Sequence, residues 1–162
     1  MKNWRALTTP LVLAVILGPP AAAQPLDDAT RQDVQDEINA FFDQYYEWYS
    51  AGRADEISRH AYNVPYQLGN GTALETRAEV RQWVVDAHAR LDAQGYGRSA
   101  MPDRNICVLS SGAAMVSGRG VRYRKDGRVF GEYGWTYTVV RTDNGWRIVS
   151  IFGHDPSLAV RC

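Results

Sequence analysis

Four strand-like segments in the second half of the chain are separated by turns too short for a crossover connection. They span residues 104–110, 113–124, 128–141 and 146–153. The tripeptides Ser-Ser-Gly, Lys-Asp-Gly and Asp-Asn-Gly lie between them. Parallel neighbours would need a dozen or more connecting residues, so turn signals this close favour hairpins. The second half of the chain therefore predicts an antiparallel meander of long strands.

The first half has helical periodicity instead. Apolar and aromatic residues recur at three- and four-residue steps from Val34 to Tyr49, which predicts an amphipathic helix. Thr30 or Asp28 is expected to cap its start, and Gly52 to stop it.

Two further helices and a hairpin complete this half. Residues 54–61 predict a short second helix, and Asn70-Gly71 predicts a two-residue hairpin turn. Thr76 and Glu79 form a capping box that opens a third helix. Helices grouped apart from an antiparallel sheet indicate the α+β class.

Residues 1–23 have the pattern of a secretory signal peptide. Lys2 and Arg5 precede a short apolar run, and Ala21-x-Ala23 offers a small-residue cleavage site. We therefore expect one domain at residues 24–162, exported to the periplasm or secreted. No later apolar run is long enough to span a bilayer.

Charge and motifs exclude several function classes. The 18 basic residues balance 18 acidic residues, which argues against nucleic acid or an anionic membrane as a partner. No glycine-rich phosphate loop follows a strand, and the three histidines lack ligand spacing. The sequence therefore predicts neither a cofactor nor a metal site.

The two cysteines, Cys107 and Cys162, are suited to pairing in an oxidising compartment. A disulfide across this separation would stabilise the protein by about 4 kcal/mol on the loop-entropy model. The alternative is a buried Cys107 on a strand and a free Cys162 at the terminus. The pattern favours the disulfide.

The last strands are apolar on both faces. Regular alternation places Trp146, Ile148 and Phe152 on one face, and Val149 and Ile151 on the other. Because three helices can cover only one face of a long sheet, we expect a second copy to cover the rest, in a homodimer.

The element order resembles the nuclear transport factor 2-like superfamily, which includes SnoaL-like cyclases and ketosteroid isomerases. The resemblance is carried by the stretches SAGRADEISRHAY, HAYNVPYQL, QGYGRS, RYRKDG, TYTVV and TDNGWRIVSI. It implies a cystatin-like cone, in which a curved antiparallel sheet wraps on three helices and leaves a pocket at its open end. The stretches are similar to an uncharacterised exported branch of that superfamily.

Two departures from the superfamily bear on function. Ketosteroid isomerases carry a catalytic aspartate just after the second helix, whereas residues 61–66 here contain no carboxylate, and Asn63 cannot abstract a proton. The related calmodulin-kinase association domain has histidines where Ser150 and Phe152 stand.

An unusual number of tyrosine and tryptophan residues suits a pocket for a flat or ring-bearing ligand, because each has an apolar body and a polar tip. Most are expected to be core residues. The predicted ligand-binding residues are Tyr45, Tyr49, Tyr62, Tyr66, Trp83 and Trp135.

His154 and Asp155 are adjacent at the end of the last strand. Neighbouring strand residues point to opposite faces, so they cannot form a catalytic pair, and Asp155 before Pro156 is expected to start a turn. His154, in phase with Ile148, is the candidate acid or base, with Asp103 as its candidate partner.

Three functions fit these features. The first is an exported domain that binds a small apolar or aromatic molecule. The second is a cofactor-free SnoaL-like lyase, isomerase or hydrolase that uses His154. The third is a dimeric interaction module whose cone is filled by its own side chains.

Overall fold

The fold is that of a computed structural model, which describes residues 25–162; the predicted signal peptide lies outside these residues. Helix α1 (Asp28–Ser50) is followed by α2 (Ala54–Glu56), a π-helical turn (Ile57–Ala61) and α3 (Arg77–Asp92). The strands are β1 (Tyr62–Leu68), β2 (Ala73–Leu74), β3 (Tyr96–Ser110), β4 (Ala113–Arg124), β5 (Val129–Thr142) and β6 (Gly145–His154). The α+β class is therefore confirmed.

The capping motifs at the helix starts were predicted correctly for α3 but not for α1. The capping box at the start of α3 is present, with Thr76 and Glu79 bonding each other's backbone groups. The predicted cap of α1 is wrong. Asp27 caps this helix, because its carboxylate accepts a bond of 2.8 Å from the backbone N–H of Thr30.

The six strands form one curved sheet in the order β2-β1-β6-β5-β4-β3. The four long strands make the predicted antiparallel meander. The hairpin of β1 and β2 extends the sheet beside β6, at the edge opposite β3. Its strand β1 pairs with β6 in parallel, with Tyr62 opposite Ile148. The π-helical turn, which leads directly into β1, packs against the last strand beside this parallel contact.

The core fills the space between the helices and the inner, concave face of the sheet. Its side chains without solvent exposure come from both layers and include Ile38, Phe42, Ile57, Val84, Val116 and Ile148. None of the helices within residues 25–162 is long and apolar enough to cross a membrane.

Part of the outer face of the sheet is covered by the chain's own C-terminal segment, residues 155–162. The backbone N–H of Val160 donates a bond of 2.9 Å to the hydroxyl of Ser117 on β4. Cys162 lies beside Cys107 on β3, with the two Cα atoms 5.7 Å apart, the distance of a disulfide. This segment covers surface for which a second copy had been expected, and the homodimer stays a prediction.

Candidate functional site

A cavity of about 540 Å³ opens between the inner face of the sheet, α1 and the C-terminal half of α3. Its walls combine three elements that are far apart in sequence. Tyr45 and Tyr49 project from α1, Trp83 and Ala87 from α3, and Trp135 from β5. The volume is within the range of pockets that enclose small organic molecules.

Trp135 lies against the sheet because neighbouring strands carry glycine beneath its ring. A Cβ atom at position 120 would lie 2.7 Å from Trp135 Cδ1, and one at position 153 would lie 3.1 Å from Cζ3. A side chain on Gly120 would therefore displace the indole, and one on Gly153 would require the ring to shift slightly. Two glycines thus give this wall its shape.

The floor of the cavity is a set of hydrogen-bonded tyrosines. The hydroxyl oxygens of Tyr45 and Tyr62 are 2.6 Å apart, and those of Tyr46 and Tyr137 are 3.1 Å apart. Burial raises the pKa of Tyr46 to about 12 and the pKa values of the other three well above that of an exposed phenol. These groups are neutral at physiological pH, so they can donate hydrogen bonds but do not supply a basic phenolate.

Tyr66 stands behind the cavity rather than on its wall. Its ring stacks on that of Tyr62 with centroids 4.3 Å apart, and it has no solvent exposure. Its hydroxyl has no hydrogen-bond partner among residues 25–162. Of the six predicted ligand-binding residues, the other five line the cavity: Tyr45, Tyr49, Tyr62, Trp83 and Trp135.

The charged side chains on the cavity wall are both basic. Arg122 comes from β4 and Arg90 from the last turn of α3. No carboxylate or histidine lines the cavity within the part of the chain that the structure describes. The site therefore combines aromatic surface with positive charge.

His154 lies on the outer face of the sheet, and the expected phase of β6 is wrong. An irregularity in the pairing of β5 with β6 places Ile148 opposite Val139 but Ser150 opposite Thr138. The extra residue reverses the alternation, so Ile148 and Ile151 both face the core. His154 consequently points away from the cavity.

The ring of His154 is held by local contacts on that outer face. Its Nε2 atom lies 3.0 Å from the hydroxyl of Thr136, and Nδ1 lies 2.7 Å from the backbone oxygen of Asp155. The carboxylate of Asp155 accepts bonds from the backbone N–H and hydroxyl of Ser157, and these bonds lower its pKa. Asp155 thus begins a turn, as its sequence context indicates.

Asp103 does not contact His154. The carboxylate binds Arg119, with its oxygen 2.6 Å from a guanidinium nitrogen, and Arg119 also binds Glu132 at 2.8 Å. Asp103, Arg119, Gly134 and His154 form one row across four strands. Three strand spacings separate the ends of this row, about 14 Å, so the structure does not bring the two candidate catalytic residues together.

Sequence reasoning left Tyr46, Arg90 and Arg122 out of the predicted site. Tyr46 follows Tyr45 directly on α1. The helical periodicity assigns only Tyr45 to the apolar face, and it does not show that the cavity beside the curved sheet includes both residues. Arg122 lies two residues after Gly120 on β4, so the two residues share one face of the sheet. Once Gly120 is known to face inward, Arg122 can be assigned to the inner face as well. It lies in a stretch of basic residues that resembles an ordinary solvated hairpin.

The curved sheet, its three helices and the aromatic cavity define an α+β cone with a pocket at its open end. The family model described as NTF2-like protein (DUF6841) matches residues 36–156, and the chain belongs to this family. A comparison with curated proteins finds no match.

Solved structures share the fold at low sequence identity. An NTF2-like protein with a cystatin-like fold from Novosphingobium aromaticivorans has a TM-score of 0.61 and 18% identity, over 77% of this chain and 83% of that one. An NTF-2 like protein of unknown function from Shewanella oneidensis MR-1 has a TM-score of 0.60 and 22% identity, over 75% and 98%. A putative calcium/calmodulin dependent protein kinase II association domain from Xanthomonas campestris has a TM-score of 0.57 and 16% identity, over 82% and 91%. At these identities the likeness concerns the fold alone.

Proposed function

We propose that this domain binds a small, largely apolar, ring-bearing molecule in the aromatic cavity. The observation that carries the proposal is the open space of about 540 Å³ between Tyr45, Trp83 and Trp135. Aromatic walls favour flat ligands, because stacked and edge-to-face rings add to the free energy of apolar burial. Neutral phenol groups on the floor supply the few polar contacts that would orient such a ligand.

The cavity favours this function over an interaction module with a filled cone. A filled cone would bring large side chains from the helices into contact with the inner face along its whole length. Here Ala87 presents only a methyl group to the open end, and Gly120 presents none. These small residues leave room for a ligand.

The cavity also favours binding over the SnoaL-like enzyme. Lyase, isomerase or hydrolase chemistry with a protein base needs that base within hydrogen-bond reach of the substrate. Among the residues that the structure describes, the cavity wall carries neutral tyrosines and arginines but no carboxylate or imidazole. An enzyme here would have to act through phenol donors and positive charge.

We also propose that the protein works outside the cytoplasm, in the periplasm or as a secreted domain. The signal-peptide pattern at residues 1–23 and the approach of Cys107 to Cys162 support this location. N-terminal sequencing of the exported protein should then begin at Gln24. A full-length chain retained in the cytoplasm would contradict export.

Probe binding to a filled cavity tests the function directly. N-phenyl-naphthylamine is an uncharged aromatic molecule whose fluorescence rises when it leaves water. Ala87→Trp places a large side chain in the cavity, whereas Ala89→Trp makes the same change on the exposed side of α3. We expect Ala87→Trp to abolish probe binding and Ala89→Trp to preserve it.

The thermal midpoints of both variants establish that the comparison is between folded proteins. If wild-type protein does not bind the probe, or if both variants bind it equally, the cavity is not the binding site and the proposed function is wrong.

A further inference from the structure

We propose that the ligand is an organic anion: a ring system with one oxyanion group, such as a carboxylate or sulfonate, that binds the guanidinium of Arg122. This inference rests on the proposed function, since it concerns the same cavity. It assigns the chemical class of the ligand and the residue that selects it.

Arg122 is placed to reach into the cavity. On the inner face of the sheet its direct neighbours are Ser99 on β3 and Gly131 on β5. Both are small, and the side chain of Tyr133 occupies the space over Gly131, where a Cβ atom would lie 2.6 Å from its hydroxyl oxygen. The guanidinium carbon lies 4.6 Å from the ring centre of Tyr133, which holds the positive group at the cavity wall.

The positive charge of Arg122 has no acidic partner within the part of the chain that the structure describes. Three other arginines of the sheet bind carboxylates: Arg104 binds Asp43, Arg119 binds Asp103 and Glu132, and Arg141 binds Glu37. Arg98, Arg124 and Arg147 have no such partner among residues 25–162, but none of them lines the cavity. Within residues 25–162, no carboxylate lies within 4.0 Å of Arg122, although the side chain is half-buried.

The position of this unpaired charge on the cavity wall points to a ligand. A partly desolvated charge without a partner lowers stability, and an oxyanion bound there would restore the missing interaction. The planar guanidinium also matches an oxyanion geometrically, because two N–H groups can donate in parallel.

Further donors stand near Arg122. Tyr49 also lines the cavity; burial raises the pKa of its phenol, and the nearby positive charge of Arg122 opposes part of that rise. The phenol therefore remains a neutral donor beside the guanidinium. Arg90 adds a second positive charge at the exposed rim.

The arrangement gives the ligand a direction. Arg90 and Arg122 mark the side where the oxyanion would lie, close to water. Tyr45, Tyr137 and Trp135 surround the remaining, apolar space. We infer that the ring system is inserted first and that the oxyanion stays near the opening.

A matched pair of probes tests the oxyanion separately from the apolar body. Anilinonaphthalene sulfonate carries the same aromatic rings as N-phenyl-naphthylamine and adds one sulfonate. Since a hydrogen bond to a charged group contributes roughly 1.5–3 kcal/mol, we expect wild-type protein to bind the sulfonate at least about tenfold more tightly.

The variants are Arg122→Met and Arg98→Met. Arg98 also stacks on a tyrosine, with its guanidinium carbon 3.8 Å from the ring centre of Tyr123, but it does not line the cavity. Both changes remove one positive charge and leave an unbranched apolar side chain that covers the aliphatic part of the arginine. We expect Arg122→Met to remove the preference for the sulfonate, reducing the ratio of the two affinities at least about tenfold, and Arg98→Met to retain the preference.

Arg122→Lys provides the second measurement if Arg122→Met does not fold. Lysine keeps the charge but loses the planar pair of donors, so the preference for the sulfonate should fall several-fold rather than vanish. An unchanged ratio of the two affinities in the folded Arg122 variants, or no preference in wild-type protein, would overturn the inference.

The neutral probe separates this failure from failure of the proposed function. If N-phenyl-naphthylamine binds wild-type protein and is excluded by Ala87→Trp, the cavity binds ligands whatever the charge preference. If neither probe binds, both proposals fail together.

Discussion

The hydroxyl oxygens of Tyr45 and Tyr62 lie 2.6 Å apart in the protein interior, one on α1 and the other at the start of β1. Each phenol gives the other its hydrogen-bond partner at the floor of the cavity. We expect Tyr45→Phe to lower the free energy of unfolding by about 1–3 kcal/mol, because the hydroxyl of Tyr62 would remain buried without a partner.

Denaturant unfolding of Tyr45→Phe, Tyr62→Phe and the double variant measures this coupling. The double variant should lose less stability than the sum of the two single variants, since it removes both hydroxyls. Strictly additive losses would show that the hydroxyl pair contributes nothing.

Burial of the tyrosines predicts a loss of stability in alkali. The pKa of Tyr46 is raised to about 12, and those of Tyr45, Tyr62 and Tyr137 are raised as well, all chiefly by burial. A raised pKa in an acid means that the folded state holds the proton more tightly than the unfolded state. This contribution is therefore complete below the unfolded pKa of about 10 and is lost as the pH rises above it.

The unfolding midpoint in denaturant should accordingly fall between about pH 10 and pH 12. Tyrosinate absorbance, followed in parallel, should show these four phenols ionising only as the protein unfolds. Ionisation of every tyrosine in a still folded protein near pH 10 would contradict the prediction.

Gly120 is predicted to determine the position of Trp135. A methyl group at position 120 would lie 2.7 Å from Cδ1 of the indole, so Gly120→Ala should displace the ring. Overpacking of this kind costs about 1–3 kcal/mol. Gly112→Ala is the control, because nothing lies within 4 Å of a Cβ atom there. Thermal unfolding and tryptophan fluorescence should change in the first variant only, and equal stabilities would contradict the steric account.

The approach of Cys107 to Cys162 predicts a disulfide that holds the C-terminal segment on the sheet. The sequence separation of 55 residues implies a stabilisation of about 4 kcal/mol through the entropy of the unfolded chain. Cys162→Ser, or reduction of the wild-type protein, should lower the free energy of unfolding by a comparable amount. Thiol titration of the denatured, unreduced protein should find no reactive thiol, and two reactive thiols would disprove the pairing.

His154 on the outer face is predicted to be dispensable for binding. His154→Ala removes the contact of 3.0 Å with Thr136 and should lower the free energy of unfolding by about 1 kcal/mol. Affinity for either fluorescent probe should not change. A large loss of probe affinity, or of turnover of a substrate identified by screening, in a folded His154→Ala protein would instead support the enzyme alternative.

The elements and their order could be predicted because their signals are local. The capping box of Thr76 and Glu79 and the hairpin around Asn70-Gly71 depend on neighbouring residues, and the structure contains both. The hairpin loop spans three residues, 69–71, so the predicted two-residue turn is wrong in length. The apolar stripe of α1 and the closely spaced turns likewise act over a few residues. Helix periodicity and turn chemistry were therefore enough to predict α+β and a long antiparallel meander.

The candidate site could be predicted only in part, for reasons visible in β6. Alternation holds from Trp146 to Ile148 and then shifts at the irregularity, which turns His154 to the outer face. One extra residue in a strand turns every later side chain to the other face of the sheet. The residues around Val149 contain no sequence signal for this irregularity. The aromatic residues were found because composition alone marks them as suited to a pocket.

Local sequence thus determined the helices, the hairpins and the supply of aromatic side chains, because each depends on residues close together along the chain. The tertiary structure decided the parallel contact of β1 with β6, the seat of Trp135 over Gly120 and the inward position of Arg122. It also placed residues 155–162 on the outer face of the sheet. These features arise where segments distant in sequence meet, and their geometry depends on the curvature and register of the whole sheet.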